Sequence, residues 1–253
     1  MRKIQLTVIQ IDNYGPWTVT PKPKPEAELQ RLQAELFAKV QGEMASRGGL
    51  VFPARFDNLI AVSNGISIEE HREIQRSINE KFPITVSIGI GADSTPYGAQ
   101  VLATSALQRE GGSRSPERVG KLAGECVSGP DEDWVQIAHM DVNHSAALTD
   151  SEPLYDTYML FQKAYLALMD SLRKRNALVF YMGGDNFMAL SNGLGPHEIE
   201  KVFSEVEAEA GVGFKAGVGA GPTAEVAARL ASEGLHEIRE GKTKGKVVFK
   251  EAY

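Results

Sequence analysis

Four aspartates recur in the chain with the same neighbours: Asp12 in "VIQIDN", Asp57 in "RFDN", Asp141 in "AHMDVN" and Asp185 in "GGDN". In each half, one aspartate closes an apolar, alternating stretch and the other sits between two short apolar runs, where a hairpin turns. A carboxylate at a strand end beside a carboxylate at a hairpin tip makes two negative groups that repel. Hard divalent cations relieve that repulsion, because Mg²⁺ prefers carboxylate oxygens together with substrate phosphates. Such ions also stabilise displacement at phosphorus. Gly183 and Gly184 lack Cβ atoms, so the backbone N–H groups at that tip can approach a phosphate closely. Asp-Asn at a tip is also ordinary turn chemistry. The repetition of the whole constellation is what favours the functional reading.

The repetition extends along the chain. Shifted by 128 positions, Leu50, Val51, Phe52, Asp57, Asn58, Ala61, Ser63, Asn64 and Gly65 fall on Leu178, Val179, Phe180, Asp185, Asn186, Ala189, Ser191, Asn192 and Gly193. The same register carries Gly89, Gly91, Ala99 and Ala103 onto Gly217, Gly219, Ala227 and Ala231. The first strands match with one extra residue, which sets Asp12 over Asp141. A period this long is a duplicated domain rather than a solenoid. Each half reads as strand (3–12; 133–142), helix (26–46; 153–175), hairpin (49–54 with 58–63; 177–182 with 186–190), helix (67–80; 196–210), strand and final helix. The fold expected is α+β: two tandem ferredoxin-like domains, 1–127 and 128–253, with antiparallel sheets covered by helices. The boundary falls in "GECVSGPDED", and the proline-rich "TPKPKPEAE" reads as a stiff spacer.

The 253 residues carry a net charge of −6, which argues against a broad nucleic-acid footprint but leaves room for one small anion. A single cysteine, Cys126, rules out an intramolecular disulfide and reads as an inert thiol. The N-terminus turns directly into a strand without a signal-peptide core, and no apolar run approaches 18 residues, so no membrane span and a cytoplasmic setting are expected.

With "DVN" after a strand, "GGDN" at a tip and the strand "ITVSIGIGA", the chain resembles the GGDEF diguanylate cyclases and the palm domains behind them. The strings "VIQIDNYGPWTVTP", "RFDNLIA", "VQIAHMDVN" and "GGDNFMALSNG", in tandem halves, resemble the archaeal GTP cyclohydrolase III family over essentially the whole length. That resemblance implies palm-like domains and a homo-oligomer. It implies hydrolytic opening of the imidazole ring of GTP with the formyl group kept and the terminal phosphates lost, in flavin and deazaflavin-type cofactor synthesis. It also implies Mg²⁺, two ions or more, with Mn²⁺ as a substitute.

Carried onto this sequence, Asp141 and Asp185 hold metal at the triphosphate. Gly183 and Gly184 let the hairpin backbone come close. Val142, Asn143, His144 and Ser145 cradle phosphate, and Arg239 and Lys246 supply cations from the tail. Asp12 and Asp57 are the corresponding metal pair of the first half, where Arg55 and Phe56 replace the glycines and read as phosphate or purine contacts, beside Asn13 and Tyr14. His139 shares a strand face with Asp141 and reads as a core histidine. His144 joins Asp141 and Asp185 as a catalytic candidate, with the general base left open. Zinc lacks a Cys pair or His-x₃-His spacing. A nucleotidyl cyclase and a non-catalytic nucleotide-binding regulator are the alternatives. The first is disfavoured because the tip reads GGDN rather than GGDEF.

Overall fold

The computed structural model describes residues 2–115 and 117–252. They fall into two compact units, one mainly from residues up to Asp133 and the other mainly from Trp134 onward. Among the described residues, no helix is long and apolar enough to cross a membrane.

The first unit runs β1 (Ile4–Ile11), α1 (Tyr14–Val19), α2 (Glu26–Ala45), β2 (Leu50–Arg55), β3 (Asn58–Val62), α3 (Ile68–Lys81), β4 (Val86–Asp93), α4 (Pro96–Arg109) and β5 (Leu122–Gly124). The second runs β6 (Val135–Val142), α5 (Ser145–Ser151), α6 (Leu154–Arg173), β7 (Leu178–Gly183), β8 (Asn186–Leu190), α7 (Pro196–Ala210), β9 (Phe214–Gly221), α8 (Ala224–Arg239) and β10 (Val247–Glu251). The sheet orders are β2-β3-β1-β4-β5 and β10-β9-β6-β8-β7. Four strands of each sheet are antiparallel, as expected. The fifth, β5 or β10, pairs parallel with its neighbour, so the sheets are mixed. Each follows a helix that crosses back over the sheet, a connection that delivers the next strand parallel. The short helices α1 and α5 and both edge strands are additions to the sequence reading.

Alternation decides which residues reach the site. Along β6, Ala138, Met140 and Val142 enter the apolar core under α6 and α7 with Phe161, Leu168, Phe203 and Phe214. Burying each of the larger of these side chains contributes roughly 1.5–3 kcal/mol. The other face of β6, carrying Val135, Ile137, His139 and Asp141, turns toward α8. The apolar even positions thus force His139 and Asp141 onto one side.

A polar knot holds the start of each first strand. Gln5 Nε2 donates to the Ser63 and Ile66 carbonyls at 2.7 and 3.0 Å. Gln136 Nε2 does the same with Ser191 and Leu194, both at 2.8 Å.

α8 lies unusually close to β9. A Cβ built on Gly217 would sit 1.9 Å from the Ala231 carbonyl oxygen and 2.2 Å from the Leu235 nitrogen. Gly89 and Gly91 meet α4 in the same manner. The Gly and Ala identities of the repeat are therefore the contact surface between strand and helix. Gly217→Ala is expected to destabilise the protein by about 2 kcal/mol or more, because backbone must move to admit the methyl group; urea unfolding reads the loss.

Candidate functional site

Asp141 stands in register opposite Lys215 of β9. Its Oδ2 receives Arg239 Nε at 3.0 Å and lies 2.8 Å from Lys215 Nζ. The residue is only 4% exposed, and Oδ1 is buried with no hydrogen-bond partner. Burial alone would raise the Asp141 pKa. The hydrogen bonds from Arg239 and Lys215, with Asp185 also in hydrogen-bonding reach, outweigh it and hold the carboxyl below its ordinary value. Asp185 at the β7–β8 tip accepts Asn186 Nδ2 at 2.8 Å, and its carbonyl receives the Val142 N–H at 3.2 Å. Arg239 also reaches toward Asn186 Oδ1 at 3.5 Å. His139, on the Asp141 side of β6, places Nδ1 3.2 Å from Ser232 Oγ of α8. Burial, then the Arg239 charge, pushes its pKa down, so it stays neutral at pH 7.

The hairpin tip is open. Gly183 and Gly184 have φ of 99° and 60°, and a Cβ at either would meet nothing within 4 Å. Backbone conformation, more than crowding, requires glycine there, and a ligand can reach the main chain. The loop after β6 is more occupied than the sequence suggests. The Val142 side chain is buried in the core and its N–H is spent on Asp185, while the Asn143 N–H donates to the Gly213 carbonyl at 2.9 Å. Neither can cradle phosphate with its N–H as expected. His144, exposed and at φ 58°, begins α5 with Ser145 behind it, so any backbone contact from this loop falls to those two. Lys246 precedes β10, with Nζ 3.8 Å from Glu207.

The site is small in protein ligands. Among the described residues, no cluster of three or more His, Cys, Asp or Glu side chains is placed to hold a metal. Two carboxylates, one with an unpartnered buried oxygen, fit a hard cation whose remaining ligands are substrate oxygens and water.

The family model described as GTP cyclohydrolase III matches residues 4–252. The chain belongs to the GTP cyclohydrolase III family. It is thereby an enzyme of the GTP cyclohydrolase class. The GTP cyclohydrolase III of Methanobrevibacter smithii is 53% identical over 239 residues, covering 94% of each chain. That of Methanothermobacter thermautotrophicus is 52% identical over 241 residues, 95% of this chain and 96% of its own. That of Methanocaldococcus jannaschii is 48% identical over 250 residues, 98% and 90% respectively. Among solved structures, the GGDEF domain of DgcB from Caulobacter crescentus aligns over 46% of this chain and 77% of its own with a TM-score of 0.40 and 12% identity, too remote to add to the description above.

Within this chain the two copies of the fold are not equivalent, and the expected alignment of Asp12 with Asp141 is corrected by the strand register. Gln10 pairs with Asn58, whereas Asp141 pairs with Asn186, the counterpart of Asn58. Gln10 therefore occupies the place of Asp141. Asp12, whose N–H donates to Thr85, occupies the place of Asn143, whose N–H donates to Gly213. The Gln5 and Gln136 knots lock that register.

Asp12 is buried and filled by the protein itself. Ser87 Oγ, Thr85 Oγ1 and the Gly120 N–H donate to it at 2.6, 2.9 and 2.8 Å, with Arg118 at 3.8 Å. The Asp57 carboxylate instead faces Arg55 at 3.4 Å on the surface. The structure does not bring Asp12 and Asp57 together as a second pair of the Asp141–Asp185 kind. Arg55 and Phe56 project from the tip, about 70% exposed. Tyr14 packs on Trp17 and its hydroxyl accepts Gln33 Nε2 at 2.7 Å; Asn13 at φ 50° starts α1. Cys126 is half-buried, and burial pushes its thiol up to about 11, an inert group at neutral pH.

Lys215, Asn186 and Ser232 escaped the sequence reading. A lone lysine in the small-residue strand "FKAGVGAG" was the available signal for the first.

Two measurements follow. Asp12→Ala leaves buried donors and Arg118 unpartnered and is expected to cost about 3 kcal/mol of stability, whereas Asp57→Ala at its exposed pair stays within about 0.5 kcal/mol; equal losses in urea unfolding would contradict the assignment. For Asp141, the folded pKa lies below the unfolded value of about 3.9. Its pairing thus stabilises fully above that range and fades as pH falls through the folded pKa. The stability deficit of Asp141→Asn against the natural protein is expected to be large at pH 7 and to shrink at pH 3.

Proposed function

We propose that the chain hydrolyses GTP with opening of the imidazole ring and retention of the formyl group. Water adds at C8, the C8–N9 bond breaks, and the formyl carbon stays on N7. Two further waters cleave the triphosphate to the monophosphate, releasing its terminal phosphates as inorganic phosphate. The product is 2-amino-5-formylamino-6-ribosylaminopyrimidin-4(3H)-one 5′-monophosphate, an intermediate suited to flavin and deazaflavin-type synthesis. The observation that carries this reading is the Asp141 carboxylate held between Lys215 and Arg239 beside the glycine-rich Asp185 tip, in a chain of this family.

Asp141 and Asp185 are the residues that would hold Mg²⁺, or Mn²⁺ in its place. When bound, the ion would neutralise triphosphate oxygens and bring the pKa of a coordinated water toward neutrality. Arg239, with its side chain nearly half exposed, is able to turn from Asp141 toward an arriving phosphate. Lys215, mostly buried, stays with the carboxylate and the Val142 carbonyl. Gly183 and Gly184 admit phosphate oxygens to the main chain. His139, neutral, is held by hydrogen bonds to Ser232 and to Asn186 at the tip, and His144 offers another imidazole at the loop.

Incubation with GTP and Mg²⁺, followed by mass and ultraviolet analysis, is expected to yield the formylaminopyrimidine monophosphate. A cyclic nucleotide would instead indicate a cyclase, and bound but unchanged GTP a regulator. Asp185→Asn is expected to reduce kcat/KM at least about 100-fold, near 2.7 kcal/mol of transition-state stabilisation, and chelation of divalent ions to abolish turnover of the natural enzyme.

A further inference from the structure

The place held in the second unit by Asp141, Lys215 and Arg239 is built differently in the first. The strand register puts Gln10 where Asp141 stands, and Ser87 faces Gln10 as Lys215 faces Asp141. The repeat sets Gly111 over Arg239. Three charged side chains are replaced together by smaller or neutral ones. A cavity of about 500 Å³ lies there, bordered by residues of β1, β3 and α4. One wall is apolar, from Val8, Ile60 and Leu107. The volume is within the range of small-molecule sites.

A guanidinium reaches this space from the loop before β5. Arg118 is 2% exposed and borders the cavity. Its Nη2 donates to Gln10 Oε1 and lies 3.8 Å from Asp12. Its Nε is buried and has no hydrogen-bond partner. Asn58, on the same cavity, carries a second such donor: Nδ2 is buried without a partner, while Asp57 faces Arg55. In the second unit the equivalent Nδ2, of Asn186, bonds Asp185. Gln10 joins the two, since its Nε2 donates to Asn58 Oδ1 at 2.8 Å. A buried donor without an acceptor is costly. Two of them, on either side of one amide, point to an acceptor that the chain does not supply.

The two units thus differ in polarity at one place. At Asp141 the unpartnered atom is an acceptor, suited to a cation. At Gln10 the unpartnered atoms are donors, and among the described residues bordering the cavity none is a carboxylate. Arg55, exposed at the hairpin tip, adds a second guanidinium to the border. Gly111 and Gly112 bring main chain to the edge, and a Cβ on Gly112 would meet nothing within 4 Å. Guanidinium donors match the oxygens of a phosphoryl group in charge and geometry. We propose that this cavity of the first unit binds a small phosphorylated ligand, whose phosphoryl oxygens accept from Arg118 and Asn58 without a divalent ion. Asp12 and Asp57 offset the two guanidinium charges, which sets the affinity in the micromolar to millimolar range.

The test is titration of the full chain in EDTA with inorganic phosphate, guanosine monophosphate and uncharged guanosine, followed by the ¹H–¹⁵N resonances of the arginine Nε–H groups. The Arg118 signal, assigned by its loss in Arg118→Lys, is expected to shift and saturate with a phosphorylated probe. A shift with both phosphate and the monophosphate assigns recognition to the phosphoryl group alone. A shift with the monophosphate only adds the apolar wall. Either supports the site. Asn58→Asp keeps the oxygen that accepts from Gln10 and sets a negative charge against the anion, so binding should weaken at least about tenfold. Gln100→Glu on the half-buried cavity wall should act in the same direction, and it keeps the test valid if Asn58→Asp fails to fold. Asp185→Asn, in the other unit, should leave the Arg118 shift as it was. An Arg118 signal unmoved by millimolar phosphate and monophosphate, an equal shift with guanosine, a shift that requires Mg²⁺, or one lost in Asp185→Asn overturns the proposal. None of these readouts depends on turnover, so they stand or fall apart from the reaction proposed above.

Discussion

A carboxylate removed from water must be compensated, and Asp141 receives that compensation from Lys215 directly across the strand pair and from Arg239 at the end of the last helix. Each partner arrives by a different route. Lys215 is set by the β6–β9 register, so a slip of one residue would turn it to the opposite face. Arg239 depends on how α8 is seated. The buried charge thus requires both elements to be correctly placed, and the Asp185 tip comes with them, because the Val142 N–H ties the end of β6 to the turn. One carboxylate, through two ion pairs and the neighbouring backbone bond, connects the sheet, the hairpin and the C-terminal helix.

The two units show how one framework accommodates different contents. Both keep the glutamine knot at the start of the first strand and the glycine–alanine contact between strand and final helix. They diverge at the other end of the same strand. Where the second unit has Asp141 with a free oxygen, the first has Gln10, which donates to Asn58 and accepts from Arg118. One residue pair further on, Asp12 is satisfied by hydroxyls and a backbone N–H, and a carboxylate so filled organises its own loop rather than a ligand. The second unit is the one that keeps an unpartnered buried carboxylate oxygen at this place.

Much of this was readable from residues alone. The offset of the repeat exposed the hairpins, their tip aspartates and the faces of the helices, because hydrophobic period and turn composition are local properties. The face shared by His139 and Asp141 followed from alternation. The pairing of Asp12 with Asp141 was misread because like residues were aligned, whereas strand register is decided by hydrogen bonds between distant segments. Gln5 and Gln136, unremarkable in sequence, settle it. The spent N–H groups of Val142 and Asn143 were invisible for the same reason: their acceptors, Asp185 and Gly213, lie far along the chain. Edge strands as short as Leu122–Gly124 carry too few residues to show a period.

The contact between β9 and α8 has a consequence for how this enzyme tolerates change. With Gly217 and Gly219 pressed against the Ala231 and Ala227 carbonyls, the helix has no slack to slide or roll on the sheet. Arg239, at its end, takes its position from that rigid seating, as the head of a lever takes its position from the fulcrum. Residues that carry no functional group and never touch a substrate would then be as intolerant of replacement as the aspartates. In a map of permitted substitutions, the functional footprint would extend in a line from the hairpin tip down the glycine stripe, well beyond the surface a nucleotide could cover.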